Sequence, residues 1–83
     1  MAGTITTDIY AETLLKYGRD RQIDKLIEEM AELTQALLKY KHGEPHNVPE
    51  ELADVQIVMR QLLPLFPENK EWIENKLKKL VDR

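Results

Sequence analysis

The sequence predicts an all-α fold of four helices, two of them long. Three observations predict it. Apolar residues recur three and four apart rather than alternating. Gly18, Gly43, Pro45, Pro49, Pro64 and Pro67 cut the chain into four segments. No strand-like run is bounded by hairpin turn residues. Internal repeats and low-complexity tracts are absent, and residues 1–83 read as a single domain.

The first helix is expected to begin after Thr6 or Thr7, either of which can cap it, with Asp8 favourable in the first turn. Ile9, Leu14 and Tyr17 form its apolar side, and Gly18 is its stop. The second helix starts near Asp20 as N-cap and runs to about Tyr40, with Ile23, Leu26, Ile27, Met30, Leu33, Leu37 and Leu38 as its apolar stripe. Lys39, Lys41 and His42 lie at its negative end, followed by Gly43 and a loop to Val48. The third helix opens with Pro49 at its first position, where a missing N–H costs nothing. It ends near Leu63, because Pro64 disfavours helix in the residue before it. A turn through Pro67 leads to the last helix, with Trp72, Ile73, Leu77 and Leu80 along one side and Trp72 assigned to the core or an interface.

Composition removes several functions. Twelve basic and 15 acidic residues give a net charge of -3, which argues against a general DNA or RNA binder. A small anionic ligand stays possible, because a metal ion supplies positive charge locally. With no cysteine, disulfides, thiolate zinc sites and cysteine nucleophiles are excluded. Two histidines leave little room for a histidine-rich metal site. No apolar stretch approaches the roughly 18 residues of a membrane helix. The N-terminus has neither a basic start nor an apolar signal core, which predicts a cytoplasmic protein. A chain this short often needs a partner subunit.

The middle helices carry the chemistry. The second contains Glu28, Glu29 and Glu32 in EEMAE; the third contains Glu50, Glu51 and Asp54 in EELAD. Residues three apart on a helix share a face, so Glu29 pairs with Glu32 and Glu51 with Asp54. Antiparallel packing would converge four carboxylates. Their repulsion is offset either by a shared proton or by a hard cation such as Mg²⁺, which takes oxygen ligands and keeps positions for water and phosphate. Without thiolates, an all-oxygen site favours Mg²⁺ or Mn²⁺ over zinc. Charges on helices ordinarily form a solvated face, and Glu28 and Glu32, roughly opposite the apolar stripe, fit that description. Glu29 instead lines up with Leu33, Ala36 and Tyr40. Glu51 stacks with Val55, Val58 and Leu62 inside the apolar arc of its helix, where an acid is costly unless paired, protonated or metal-bound.

EExxE on one helix followed by ExxD on the next resembles the MazG-like all-α nucleoside triphosphate pyrophosphohydrolases, a likeness running from about Leu15 to the C-terminus. The resemblance implies Mg²⁺-dependent cleavage of a nucleoside triphosphate between its α- and β-phosphates, releasing monophosphate and pyrophosphate. It implies Glu29, Glu32, Glu51 and Asp54 as metal ligands. Glu28 would orient or deprotonate the attacking water, or complete a second metal site. Glu50 matches a secondary acidic position. Lys76, with Lys79 one turn on, resembles the family's phosphate-binding lysine. Tyr17 or Tyr40 is available to stack on a base and Asn75 to read its edge, although such residues more often pack in a core or sit exposed. A homodimer or homotetramer is implied as well, and Ile57, away from the main apolar arc of its helix, independently suggests a partner.

Rival functions differ in class. A non-catalytic helical oligomerisation or interaction module explains the composition but not the placement of Glu51. A chorismate mutase-like enzyme wants convergent cations, and Arg19, Arg21 and Arg60 form no persuasive pattern. A helix-turn-helix reader conflicts with the acidic balance.

Overall fold

The computed structural model describes Ile9, Glu12 and residues 15–82. They form an all-α, four-helix arrangement. Residues 9, 12 and 15–17 are helical and belong to α1. Helices α2 (Arg19–Lys41), α3 (Val48–Leu62) and α4 (Asn69–Val81) follow, with a 3₁₀ turn at Leu63–Leu65. The proposed caps Thr6 and Thr7, together with Asp8 and Leu14, lie outside the described residues.

Gly18 separates α1 from α2 with φ 85° and ψ 152°, a backbone region open essentially to glycine alone. Gly18 also occupies the N-cap position expected for Asp20, which lies inside the first turn of α2. There its charge still complements the helix dipole. At the other end the Gly43 N–H donates to Tyr40 O at 3.1 Å and the Glu44 N–H to Lys39 O at 2.9 Å. That bond pair, with Gly43 at φ 72°, is a Schellman ending. Pro49 is tolerated in the first turn of α3, although the helix begins one residue earlier than expected, at Val48. At its far end α3 tightens into the 3₁₀ turn around Pro64, and Pro67 precedes α4.

Helices α2 and α3 pack against each other as an antiparallel hairpin. Its small core is Ala36, Val55, Val58 and Leu62. The face of α2 that turns inward differs from the expected stripe. It buries Gln22, Glu29 and Ala36, with Leu26 and Leu33 half-buried beside them. Ile27, Met30, Leu37 and Leu38 are exposed. Periodicity marks where α2 is apolar, and the packed face lies roughly a quarter-turn away, at about 100° per residue. Leu52 and Met59 of α3 are exposed too. The antiparallel arrangement places them on the same side of the hairpin as the open stripe of α2. Helix α4 has no buried residue and no substantial packing against α2 or α3. Trp72, at 59% exposure, is therefore outside the core.

Candidate metal centre

The side of the hairpin away from the exposed apolar residues carries the acids. Glu29 comes from the middle of α2 and Glu51 from the first turn of α3, and the antiparallel packing sets them face to face. Oxygen atoms of Glu29, Glu51 and Asp54 lie within 4.8 Å of one another, and so do those of Glu28, Glu29 and Glu32. Glu29 belongs to both groups. Glu29 and Glu51 are only 5% and 7% exposed, whereas Glu28 is exposed.

Each buried acid is half satisfied. Lys25 Nζ lies 3.0 Å from Glu29 Oε1 and 3.9 Å from Glu28 Oε1. Asn47 Nδ2 donates to Glu51 Oε1 at 2.9 Å. The Oε2 atoms of Glu29 and Glu51 are buried and have no hydrogen-bond partner. A buried acceptor in that condition carries its full desolvation penalty. Burial pushes the Glu51 carboxyl above its ordinary range, and the charges of Glu32, Asp54 and Glu29 add to the rise, against the lowering effect of Asn47. Lys25 moves upward, chiefly through its hydrogen bond to Glu29 and then through the charge of Glu28. Lys25 offsets part of this negative charge and leaves two buried oxygens unpartnered; such oxygen-only donors suit Mg²⁺ or Mn²⁺.

Beside the acids opens a cleft of about 530 Å³, lined by Tyr17, Arg21, Gln22, Lys25, Glu28 and Gln61 among others. The Arg21 guanidinium stands 5.9 Å from the Tyr17 ring centroid and Lys16 Nζ 5.3 Å, both within cation–π range of the ring.

The five acids singled out from the sequence, Glu28, Glu29, Glu32, Glu51 and Asp54, therefore converge on facing turns of one hairpin. Glu32 joins Glu28 and Glu29 rather than the group containing Glu51 and Asp54, although its charge is felt at Glu51. Glu50 is exposed. Tyr17 reaches the cleft. Tyr40 does not line it and pairs edge-on with His46, ring centroids 5.0 Å apart. Asn75, Lys76 and Lys79 lie exposed on α4, which the fold does not pack against this hairpin. Lys25 and Asn47 escaped the sequence reading. Each stands four residues before a buried glutamate, a spacing that is visible but common.

No protein-family model matches the chain, and no curated protein or solved structure is significantly similar to it. The chain is a small all-α domain with carboxylate clusters able in principle to coordinate a metal. No helix among the described residues is long and apolar enough to cross a membrane.

Proposed function

We propose that the protein is a Mg²⁺-dependent nucleoside triphosphate pyrophosphohydrolase, with Mn²⁺ as a possible substitute. The observation that carries this reading is the meeting of Glu29, Glu51 and Asp54 oxygens within 4.8 Å, two of the residues keeping a buried, unpartnered oxygen. The resemblance of EExxE and ExxD to the MazG-like family supplies the substrate class.

Glu29, Glu51 and Asp54 would hold the metal, with Glu32 completing the set through Glu29. Bound metal neutralises phosphate charge and acidifies water. Glu28, exposed at the edge of the cleft, takes the proton as water attacks phosphorus. The new P–O bond forms while the bond to the bridging oxygen between the α- and β-phosphates breaks, its electron pair leaving with pyrophosphate. Tyr17 stacks on the base in the cleft. The exposed apolar side of the hairpin supports a homodimer, or a tetramer made of two dimers. In such an assembly α4 of one subunit can bring Asn75, Lys76 and Lys79 towards the phosphates held by another. The role we assign is cytoplasmic removal of unwanted nucleotides.

The test is pyrophosphate release from a panel of canonical and modified nucleoside triphosphates, with Mg²⁺, with chelator, and with Glu51→Gln. Metal-dependent release that the variant loses is the expected result. Silence across the panel, with a parent whose stability ignores Mg²⁺, sinks the reading. A second function, a non-catalytic helical interaction module, is favoured by one observation: Trp72, Ile73, Leu77 and Leu80 on α4 are exposed in a single chain. It predicts full assembly without any response to Mg²⁺.

A further inference from the structure

Lys25 stands where a metal ion would have to compete with it. Its ammonium is 3.0 Å from Glu29 Oε1, and Glu29 is the acid common to both carboxylate groups. Glu29 is nearly buried, yet the Lys25 side chain is half-exposed and lines the adjoining cleft. The pair is also a poor device for steadying the helix. A lysine four residues before a glutamate has the less favourable of the two orientations. It satisfies one oxygen of Glu29 and leaves the other bare. What a lysine offers here is mobility: a compact charge with three donors on a flexible four-carbon stem.

We propose that Lys25 is a displaceable internal counter-ion with two positions. Without metal, its ammonium neutralises Glu29. When a divalent cation takes Glu29, the ammonium turns into the cleft and binds the anionic part of the ligand. This rests on the metal reading above and adds a coupling to it. The cation makes the site receptive to phosphate both by its own charge and by freeing a second one. Arg21 lines the same cleft but has no contact with Glu29 shorter than 4.0 Å, so it provides a control for charge without displacement.

The experiment is calorimetric titration of the full chain with Mn²⁺, then with inorganic pyrophosphate at saturating Mg²⁺, for the parent, Lys25→Met, Arg21→Met and Glu51→Gln. Lys25→Met should bind Mn²⁺ about three- to tenfold more tightly than the parent. The gain should persist at about 0.3 M salt, where long-range attraction is screened, and Arg21→Met should not reproduce it there. Pyrophosphate affinity of Lys25→Met should fall about tenfold, as for loss of a charge-assisted contact. Its melting temperature should lie below the parent's without metal and rejoin it at saturating Mn²⁺. Equal or weaker Mn²⁺ binding by Lys25→Met overturns the first position. Undiminished pyrophosphate affinity overturns the second. A parent that binds no Mn²⁺ overturns the metal reading itself, which is a different failure.

Discussion

The two sides of the α2–α3 hairpin invert the ordinary rule of burial. One side buries Glu29 and Glu51. The other exposes Ile27, Met30, Leu37, Leu38, Leu52 and Met59. Isolated exposed apolar residues are common, but buried acids and a contiguous apolar side are the informative exceptions. The two sides lack different things. The acidic side keeps two buried oxygens without a partner, although Lys25 offsets the charge of Glu29. The apolar side has no cover among the described residues. One hairpin thus carries two separable deficits, and each can be perturbed without touching the other.

The strongest perturbation falls on the apolar side. Leu37→Glu combined with Met30→Glu should reduce the proposed assembly to single chains in sedimentation. It should also lower the melting temperature by about 10 °C, given a few kcal/mol of lost apolar burial in a domain of this size. A parent that is already a single chain, with an unaffected variant, would make that side plain surface. On the acidic side, Glu51→Gln should be more stable than the parent without metal, because it removes a costly buried charge. Mg²⁺ should raise the parent's melting temperature and leave the variant's unchanged.

Acidity refines the same contrast. The folded carboxyl of Glu51 titrates above its unfolded value. Its favourable contribution is therefore fully present below the unfolded pKa and is lost as pH rises through the raised folded pKa. The advantage of Glu51→Gln over the metal-free parent should accordingly exist at neutral pH and close as pH falls through that window. Parallel thermal melts over a pH series would reveal a gap that stays constant if Glu51 is not the group involved. A smaller effect is expected at Asn47, whose amide fixes Glu51 Oε1 while Oε2 stays unpartnered. Asn47→Ala should weaken metal binding about tenfold, the lower end for loss of a residue that orients a ligand, with little change in assembly. The smallest is Thr34→Val on the apolar side. The Thr34 hydroxyl already donates to Met30 O at 2.9 Å, so the exchange should move stability by no more than about 0.5 kcal/mol.

The all-α class and the ends of α2 and α3 were legible to within a residue or so, because Gly18, Gly43, Pro49 and Pro64 act locally. The burial of Glu51 was legible as well, since it shares an arc with Val55, Val58 and Leu62. The packed face of α2 was not. Hydrophobic spacing reports which side of a helix avoids water, and in α2 most of that side finds no cover among the described residues. Of the two places expected for Trp72, the core is removed by its exposure, for the same reason. Lys25 and Asn47 were missed for another reason. A basic or amide residue four positions from a glutamate is ordinary on any charged helix, and only the meeting of two helices makes these two bond to buried acids. The family resemblance, resting on five acids, gathers no support from known relatives.

The Schellman ending at Gly43 bears on time as well as shape. It turns the chain back within the few residues between Lys41 and Val48, so the contacts between α2 and α3 begin close together in sequence. Low contact order of this kind belongs to helical proteins that fold in microseconds to milliseconds. Helix α4 gains almost nothing from that event, because it has no substantial packing on the hairpin. Formation of the acidic cluster is thereby a unimolecular step, complete once the hairpin closes and independent of where α4 comes to rest. Its rate should be indifferent to protein concentration, whereas any step in which α4 docks on another copy would run at a rate proportional to it.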